Sequence, residues 1–309
     1  MPDTGLELAG VLVPVTTPFD AVTGEIEPIH FRENLRRWAS EPLDGFVLFG
    51  STGEGPLLDE EEKLRLTAFA RDIVPATLPL VAGAGAESTR SAVHQARSLA
   101  AAGADAVIVA PPSYFGPLLP PAALRDHFLA IADASPVPVV LYNIPKYTHV
   151  SLEAGLVAEL VRHPNVVGVK DSSGDVKRLA AFTDVCAQDC RVLVGSGALL
   201  YTALELGVAG GIAALGLVAP RECADVVRLF REGRTREAGR LQERIAPVHR
   251  EIVARLGIPA LKVALDLIGY AGGPPRPPLQ PASEKERREV ARVMQQAGLL
   301  SETGSIQGR

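Results

Sequence analysis

The chain has 309 residues, 47% of them hydrophobic and 22% charged, with a formal net charge of −5 and three cysteines. That composition supports a large buried core and gives no basic surface for nucleic acid or an anionic membrane. Three cysteines without metal-type spacing (Cys186, Cys190 and Cys223) read as reduced thiols of a cytoplasmic protein.

The first ten residues, MPDTGLELAG, have neither a basic nor an apolar stretch, so no signal peptide is expected. The longest apolar run, Leu206 to Pro220, is glycine-rich and too short for a bilayer. From Gly10 onward, short buried-strand patterns alternate with amphipathic helices. The strands are expected at 10–15, 46–49, 80–82, 106–110, 137–142, 166–170, 192–194 and 211–214. The helices between and after them are expected at 28–40, 59–73, 88–101, 121–133, 151–162, 176–186, 199–206 and 220–232. Eight strand–helix units within about 220 residues predict an α/β fold of the (β/α)8 barrel type. A doubly wound sheet is the alternative, but no dinucleotide glycine fingerprint follows the first strand. Past Thr235 the strand patterns stop. The reading is therefore a barrel over residues 1–234 and a C-terminal helical appendix over 235–309, with helices at 235–255, 259–268 and 283–297. Residues 299–309 are expected to form a frayed tail.

In a barrel the chemistry sits where strands end. The sixth strand, VVGVK, ends on Lys170 and is followed by Asp171-Ser172-Ser173-Gly174. Desolvation disfavours an ammonium at such a position, and a neutral amine is a nucleophile that forms imines with carbonyl substrates. A surface lysine paired with Asp171 is the plainer alternative. The second strand leads into Gly50-Ser51-Thr52-Gly53-Glu54, whose hydroxyls and backbone N–H groups suit a carboxylate, or make an ordinary turn. Tyr142 ends the fifth strand and offers a phenol for proton transfer, or packs on the rim. Tyr114 lies on a proline-rich loop after the fourth strand, as a site residue or an oligomer contact. The loops Gly195-Ser196-Gly197 and Gly210-Gly211 lack a following lysine or arginine, which argues against phosphate. The six histidines show no ligand spacing, which argues against a metal. Lys170, Tyr142 and the hydroxyls together indicate imine chemistry with proton relay.

The segments GSTGE (Gly50–Glu54), YNIP (Tyr142–Pro145) and GVKDSSGD (Gly168–Asp175) resemble, in order and spacing, the signatures of the dihydrodipicolinate synthase / N-acetylneuraminate lyase family. The resemblance extends to GIPALK (Gly257–Lys262) and GGPPRPPL (Gly272–Leu279) in the appendix. It implies a (β/α)8 barrel, Schiff-base chemistry on pyruvate without metal or organic cofactor, and a homotetramer. By position, Lys170 would be the imine lysine and Tyr142 the proton shuttle. Ser51 and Thr52 would bind the 2-oxo acid carboxylate, with Ser51 also linking Tyr142 to Tyr114 from a neighbouring subunit. Ile212 would turn its carbonyl toward bound pyruvate. Dihydrodipicolinate synthases usually carry an arginine two residues after the YNxP proline, where this chain has Tyr147. The run from His163 to Val176 is similar to that of 4-hydroxy-2-oxoglutarate aldolases, in which the position of Ser172 helps to hold the distal carboxylate. The expected substrates are therefore a 2-oxo acid that yields pyruvate plus an aldehyde, with the synthase reaction as alternative. A non-catalytic binding barrel is the remote one.

Overall fold

Eight short strands, each buried on both faces, can be stable only as a parallel sheet covered by helices outside and filled by side chains inside. The computed structural model describes residues 6–186 and 190–301 and has that architecture. Strands β1 (Gly10–Pro14), β2 (Gly45–Leu48), β3 (Leu80–Gly83), β4 (Ala106–Val109), β5 (Val139–Asn143), β6 (Val166–Asp171), β7 (Arg191–Val194) and β8 (Gly210–Ile212) pair in parallel, in chain order. The β1–β8 pair closes the barrel. The two backbones come so close there that a Cβ on Gly210 would lie 2.0 Å from the Gly10 carbonyl oxygen, so this position must be glycine.

Side-chain alternation divides the core in two. Leu12, Val47, Val81, Ile108, Val140, Leu193 and Ile212 fill the barrel. Val11, Val13, Phe46, Leu48, Leu141 and Val194 point outward into the larger layer beneath the helices. These helices are α1 (Pro28–Ala39), α2 (Glu60–Arg71), α3 (Thr89–Ala101), α4 (Pro121–Ala134), α6 (Ala154–Leu160), α7 (Val176–Val185), α8 (Leu200–Glu205) and α9 (Pro220–Arg231). A short helix α5 (Pro145–Thr148) intervenes after β5, on the segment read as loop. Helix α2 starts at Asp59, whose carboxylate accepts from Glu62 N–H while Glu62 accepts from Asp59 N–H, a reciprocal cap. No helix among the described residues is long and apolar enough to cross a membrane.

Most boundaries shift by a residue or two from the sequence reading, and three differences bear on the site. Strand β6 runs through Asp171, because Asp171 still pairs with Asn143 and Val194 across the sheet. Strand β8 stops at Ile212, and Ala214–Leu217 turn into a short 3-10 helix. The single helix expected over 235–255 is two: α10 (Thr235–Pro247) and a π-helical segment, Val248–Leu256. Pro247 has no N–H to continue the α-helical ladder, and the backbone changes its winding at that point.

The appendix continues with α11 (Ile258–Leu267) and α12 (Glu284–Gln296). It is fastened to the barrel helices by reciprocal contacts. Asn34 exchanges hydrogen bonds with Ala271 through both its amide N and O, at 2.8 and 2.9 Å. Trp38 stacks on Tyr270 at 4.9 Å between ring centroids. Within the expected frayed tail, 299–309, Leu300 is buried in the core layer beneath the helices, and residues 302–309 lie outside those described.

Candidate active site

A single extra residue in β6 decides which way the lysine points. Opposite β5, the register steps from Val139–Val166 to Val140–Gly168, leaving Val167 without a partner. Simple alternation from Val166, which faces outward, would also turn Lys170 outward. The bulge shifts the count by one, so Lys170 enters the barrel interior beside its partners Tyr142 and Leu193, both interior residues. Lys170 is 4% exposed, and its Nζ stands 4.2 Å from the centre of the Tyr142 ring. No carboxylate among the described residues forms an ion pair with it.

Asp171, the partner expected of an ordinary surface lysine, points the other way. Asn143 Nδ2 donates to its Oδ1 at 2.6 Å, and Ser173 Oγ donates to its Oδ2 at 2.7 Å. Burial nevertheless holds the Asp171 carboxyl above the usual range. Asn143 Oδ1 also accepts from Leu152 N–H at 2.9 Å, so one buried amide joins the ends of β5 and β6 to the loop before α6. The sequence reading passed over Asn143. Its only signal was its place in YNIP beside the phenol.

The turn after β2 is a 3-10 helix, Ser51–Gly53. Thr17 Oγ1 donates to the Gly53 carbonyl at 2.8 Å, and Glu54 closes the turn in the left-handed region with φ 56°. Glu54 is buried and meets Lys262 of α11, Oε1 to Nζ at 2.6 Å, with both side chains essentially inaccessible. Its Oε2 accepts from Arg276 N–H at 2.8 Å. The hydroxyl turn is thus anchored by the appendix, a link that the sequence reading did not draw.

Ser51, Thr52, Tyr142, Lys170, Ser172 and Ile212 all line one cavity of about 340 Å³. The structure therefore brings together six of the seven anticipated residues. Ser172 fits because its neighbour across the sheet end is glycine: a Cβ on Gly195 would lie 1.9 Å from Ser172 Oγ. A second cavity, of about 440 Å³, shares Ser51, Tyr142, Ile144 and Tyr147 with the first. Among the described residues no arginine lines either cavity. Position 147 presents a half-exposed phenol, which burial and the neighbouring Tyr142 hold above the usual tyrosine range. Lys146 turns instead to the π-helical segment and donates to the Ala254 carbonyl at 3.0 Å.

Tyr114 is the exception. It is 80% exposed, lies edge-on to Phe115, and lines neither cavity of its own chain. Its loop is not loose, however. Glu87 accepts from the Tyr114 and Ser113 N–H groups and from Ser113 Oγ, the last at 2.6 Å.

His249 was missed altogether. It reaches the cavity wall from the π-helical segment, buried, with Nε2 3.2 Å from Ser196 Oγ. No spacing could have found it, since 53 residues separate the two. Among the described residues no group of three or more His, Cys, Asp or Glu is placed to hold a metal ion.

A closed barrel with a buried lysine and a tyrosine at the carboxyl ends of adjacent strands defines a lyase of the class I aldolase type. The sequence matches the profile of the dihydrodipicolinate synthetase family over residues 7–297, and the chain belongs to that family. It is 33% identical over 97% of its length, and all of the relative's, to the 4-hydroxy-tetrahydrodipicolinate synthase of Methanopyrus kandleri. It is 36% identical, over 89% of its length and 91% of the relative's, to a probable mitochondrial 4-hydroxy-2-oxoglutarate aldolase of Emericella nidulans. Among solved structures, a prophage protein of the family from E. coli K12, in complex with pyruvate, superposes with a TM-score of 0.89 at 26% identity, covering 95% of this chain and all of that one.

Proposed function

We propose that this enzyme reversibly cleaves 4-hydroxy-2-oxoglutarate, or a closely related 4-hydroxy-2-oxo acid, to pyruvate and an aldehyde through an imine on Lys170. The observation that carries the reading is the bulge-directed Lys170 amine. It is buried against Tyr142, without a carboxylate partner, in a cavity that also holds Ser51 and Thr52. Nζ attacks the C2 carbonyl carbon, Tyr142 gives its phenol proton to the departing hydroxyl as water leaves, and the resulting protonated imine withdraws electrons from the C3–C4 bond. Tyr142 takes the proton from the C4 hydroxyl as that bond breaks, so the aldehyde departs and an enamine remains. Protonation at C3 and hydrolysis return pyruvate and the free amine. Ser51 and Thr52 hold the C1 carboxylate with hydroxyl and backbone donors, and the Ile212 carbonyl faces the pyruvate moiety. In this reading Tyr114 serves a neighbouring subunit of a homotetramer. Its exposure beside Phe115 and Leu118, on a loop fastened by Glu87, supports that role.

The second reading is condensation of pyruvate with aspartate semialdehyde, and the Methanopyrus relative's name favours it. Against it stands Tyr147, at the position where the resemblance to the synthases calls for an arginine: among the described residues no arginine lines either cavity, whereas Ser172, at the position the aldolases use for the distal carboxylate, lines the one that holds Lys170. A substrate panel separates the two. Pyruvate release from 4-hydroxy-2-oxoglutarate, abolished by Lys170→Ala, supports cleavage. Efficient condensation with the semialdehyde and no cleavage overturns it.

A further inference from the structure

The cavity around Lys170 is lined also by the turn after β7 and by the appendix. Besides Lys170, the two tyrosines, Ser51, Thr52 and Ser173, its polar lining is Ser172, Ser196, Lys146 and His249. The turn Gly195-Ser196-Gly197 is held from outside by two appendix side chains. Gln242 Nε2 donates to the Gly197 carbonyl at 3.1 Å, and Gly197 N–H donates to His249 Nδ1 at 3.3 Å.

That second bond settles the tautomer. With Nδ1 accepting, the imidazole proton resides on Nε2, which donates to Ser196 Oγ at 3.2 Å. Burial, with Arg250 and Lys146 nearby, lowers the His249 pKa to about 4, so the ring is neutral near pH 7. Once Ser196 Oγ accepts from His249, its own O–H is left to donate into the cavity. Ser172 brings a second hydroxyl, and Lys146 a positive charge. No aspartate or glutamate lines this cavity. A neutral polyol tail could use the same hydroxyls, but only a carboxylate also gains from the positive charge and meets no repelling anion.

We infer that Ser196 is a specificity residue that donates to a carboxylate at the far end of the substrate, and that His249 is the positioning residue that aims it. The inference rests on the imine reading and names the class of substrate the site selects: 2-oxo acids with a second, terminal carboxylate.

The test compares the wild type with Ser196→Ala, His249→Leu and His249→Gln. Cleavage of 4-hydroxy-2-oxoglutarate is followed as separate KM and kcat. Borohydride trapping with pyruvate, which has no far end, serves as the folding and imine control. Losing one hydrogen bond to a charged group should raise KM for the dicarboxylate about 10-fold or more with Ser196→Ala, with a much smaller change in kcat. His249→Leu should reproduce most of that loss. His249→Gln, whose amide can still donate to Ser196, should restore much of it. An unchanged KM in Ser196→Ala overturns the inference. Equal losses in the two His249 variants make His249 a packing residue and overturn its positioning role. A larger loss on sugar-derived 3-deoxy-2-oxo acids than on the dicarboxylate overturns the choice of a carboxylate. Calorimetric binding of 2-oxoglutarate against pyruvate gives an independent readout. If wild-type protein traps no pyruvate, the imine reading fails. A wild-type preference for 2-oxoglutarate that Ser196→Ala removes would still support the Ser196 assignment, and no preference would reject it.

Discussion

Lys262→Met should destabilise the protein far more than an ordinary buried substitution. The Lys262 ammonium and Glu54 carboxylate lie 2.6 Å apart with side chains 1% and 0% exposed. At an effective dielectric of about 20, charges at that separation attract by roughly 6 kcal/mol, which offsets the cost of removing both from water. Burial pulls the Lys262 pKa down, while Glu54 opposes that shift. Nζ also donates to the Pro274 carbonyl at 2.8 Å, so the pair joins three segments. Methionine matches the volume and keeps the apolar stem, but leaves Glu54 buried without its counter-charge. The expected cost is about 3–5 kcal/mol. At roughly 2 °C per kcal/mol, suitable for a chain of this size, the melting temperature falls by about 6–10 °C. The double variant Glu54→Gln/Lys262→Met removes both charges and should recover much of that loss in thermal or urea denaturation. Glu54 also closes the Ser51–Thr52 turn, so the single variant should need more pyruvate for half-maximal trapping. A loss below about 1 kcal/mol, or a double variant as unstable as the sum of the singles, would refute the reasoning.

Glu62 is held below its ordinary pKa first by the bidentate Arg276 contact, at 2.6 and 2.7 Å. A depressed carboxylate contributes stability above its unfolded pKa of about 4.5 and loses it as pH falls through the folded value. The stability gap between wild type and Glu62→Gln should therefore be full near pH 6 and shrink on acidification, as read by urea titrations. Asn143→Leu strips a donor from buried Asp171 and an acceptor from Leu152 N–H, and should cost about 2–3 kcal/mol while lowering turnover. Cys186, partly exposed and held below its usual pKa by hydrogen bonding with Cys190, should alkylate first. Fully buried Cys223, its thiol pushed up by burial, should alkylate last, as peptide mapping would report. Tyr114→Phe should depress turnover while leaving imine formation intact, and a fully active monomer in light scattering would contradict the shared site.

The barrel was legible because each of its devices is local. Runs such as AVIV at β4 and the helical stripe of Phe31, Leu35 and Trp38 declare their periods within a dozen residues. The candidate lysine was legible for the same reason, as a charged residue at the end of a buried run. Its direction was not. The Val167 bulge is defined by the partner strand, and nothing in VVGVK alone distinguishes an inward from an outward Lys170. His249 and Lys262 were hidden for a related reason. Both come from the appendix and meet the Ser196 turn and Glu54 only after the chain has folded back across the barrel. Tyr114 marks a further limit: it is exposed on its own chain, and the role proposed for it in a neighbouring subunit comes from resemblance alone.

The most direct test of the account is borohydride reduction in the presence of pyruvate, followed by peptide mass mapping. A stable reduced adduct is expected on the peptide containing Lys170, absent from Lys170→Ala and slower to form in Tyr142→Phe. No adduct, or an adduct on Lys146, Lys262 or another lysine, would contradict it.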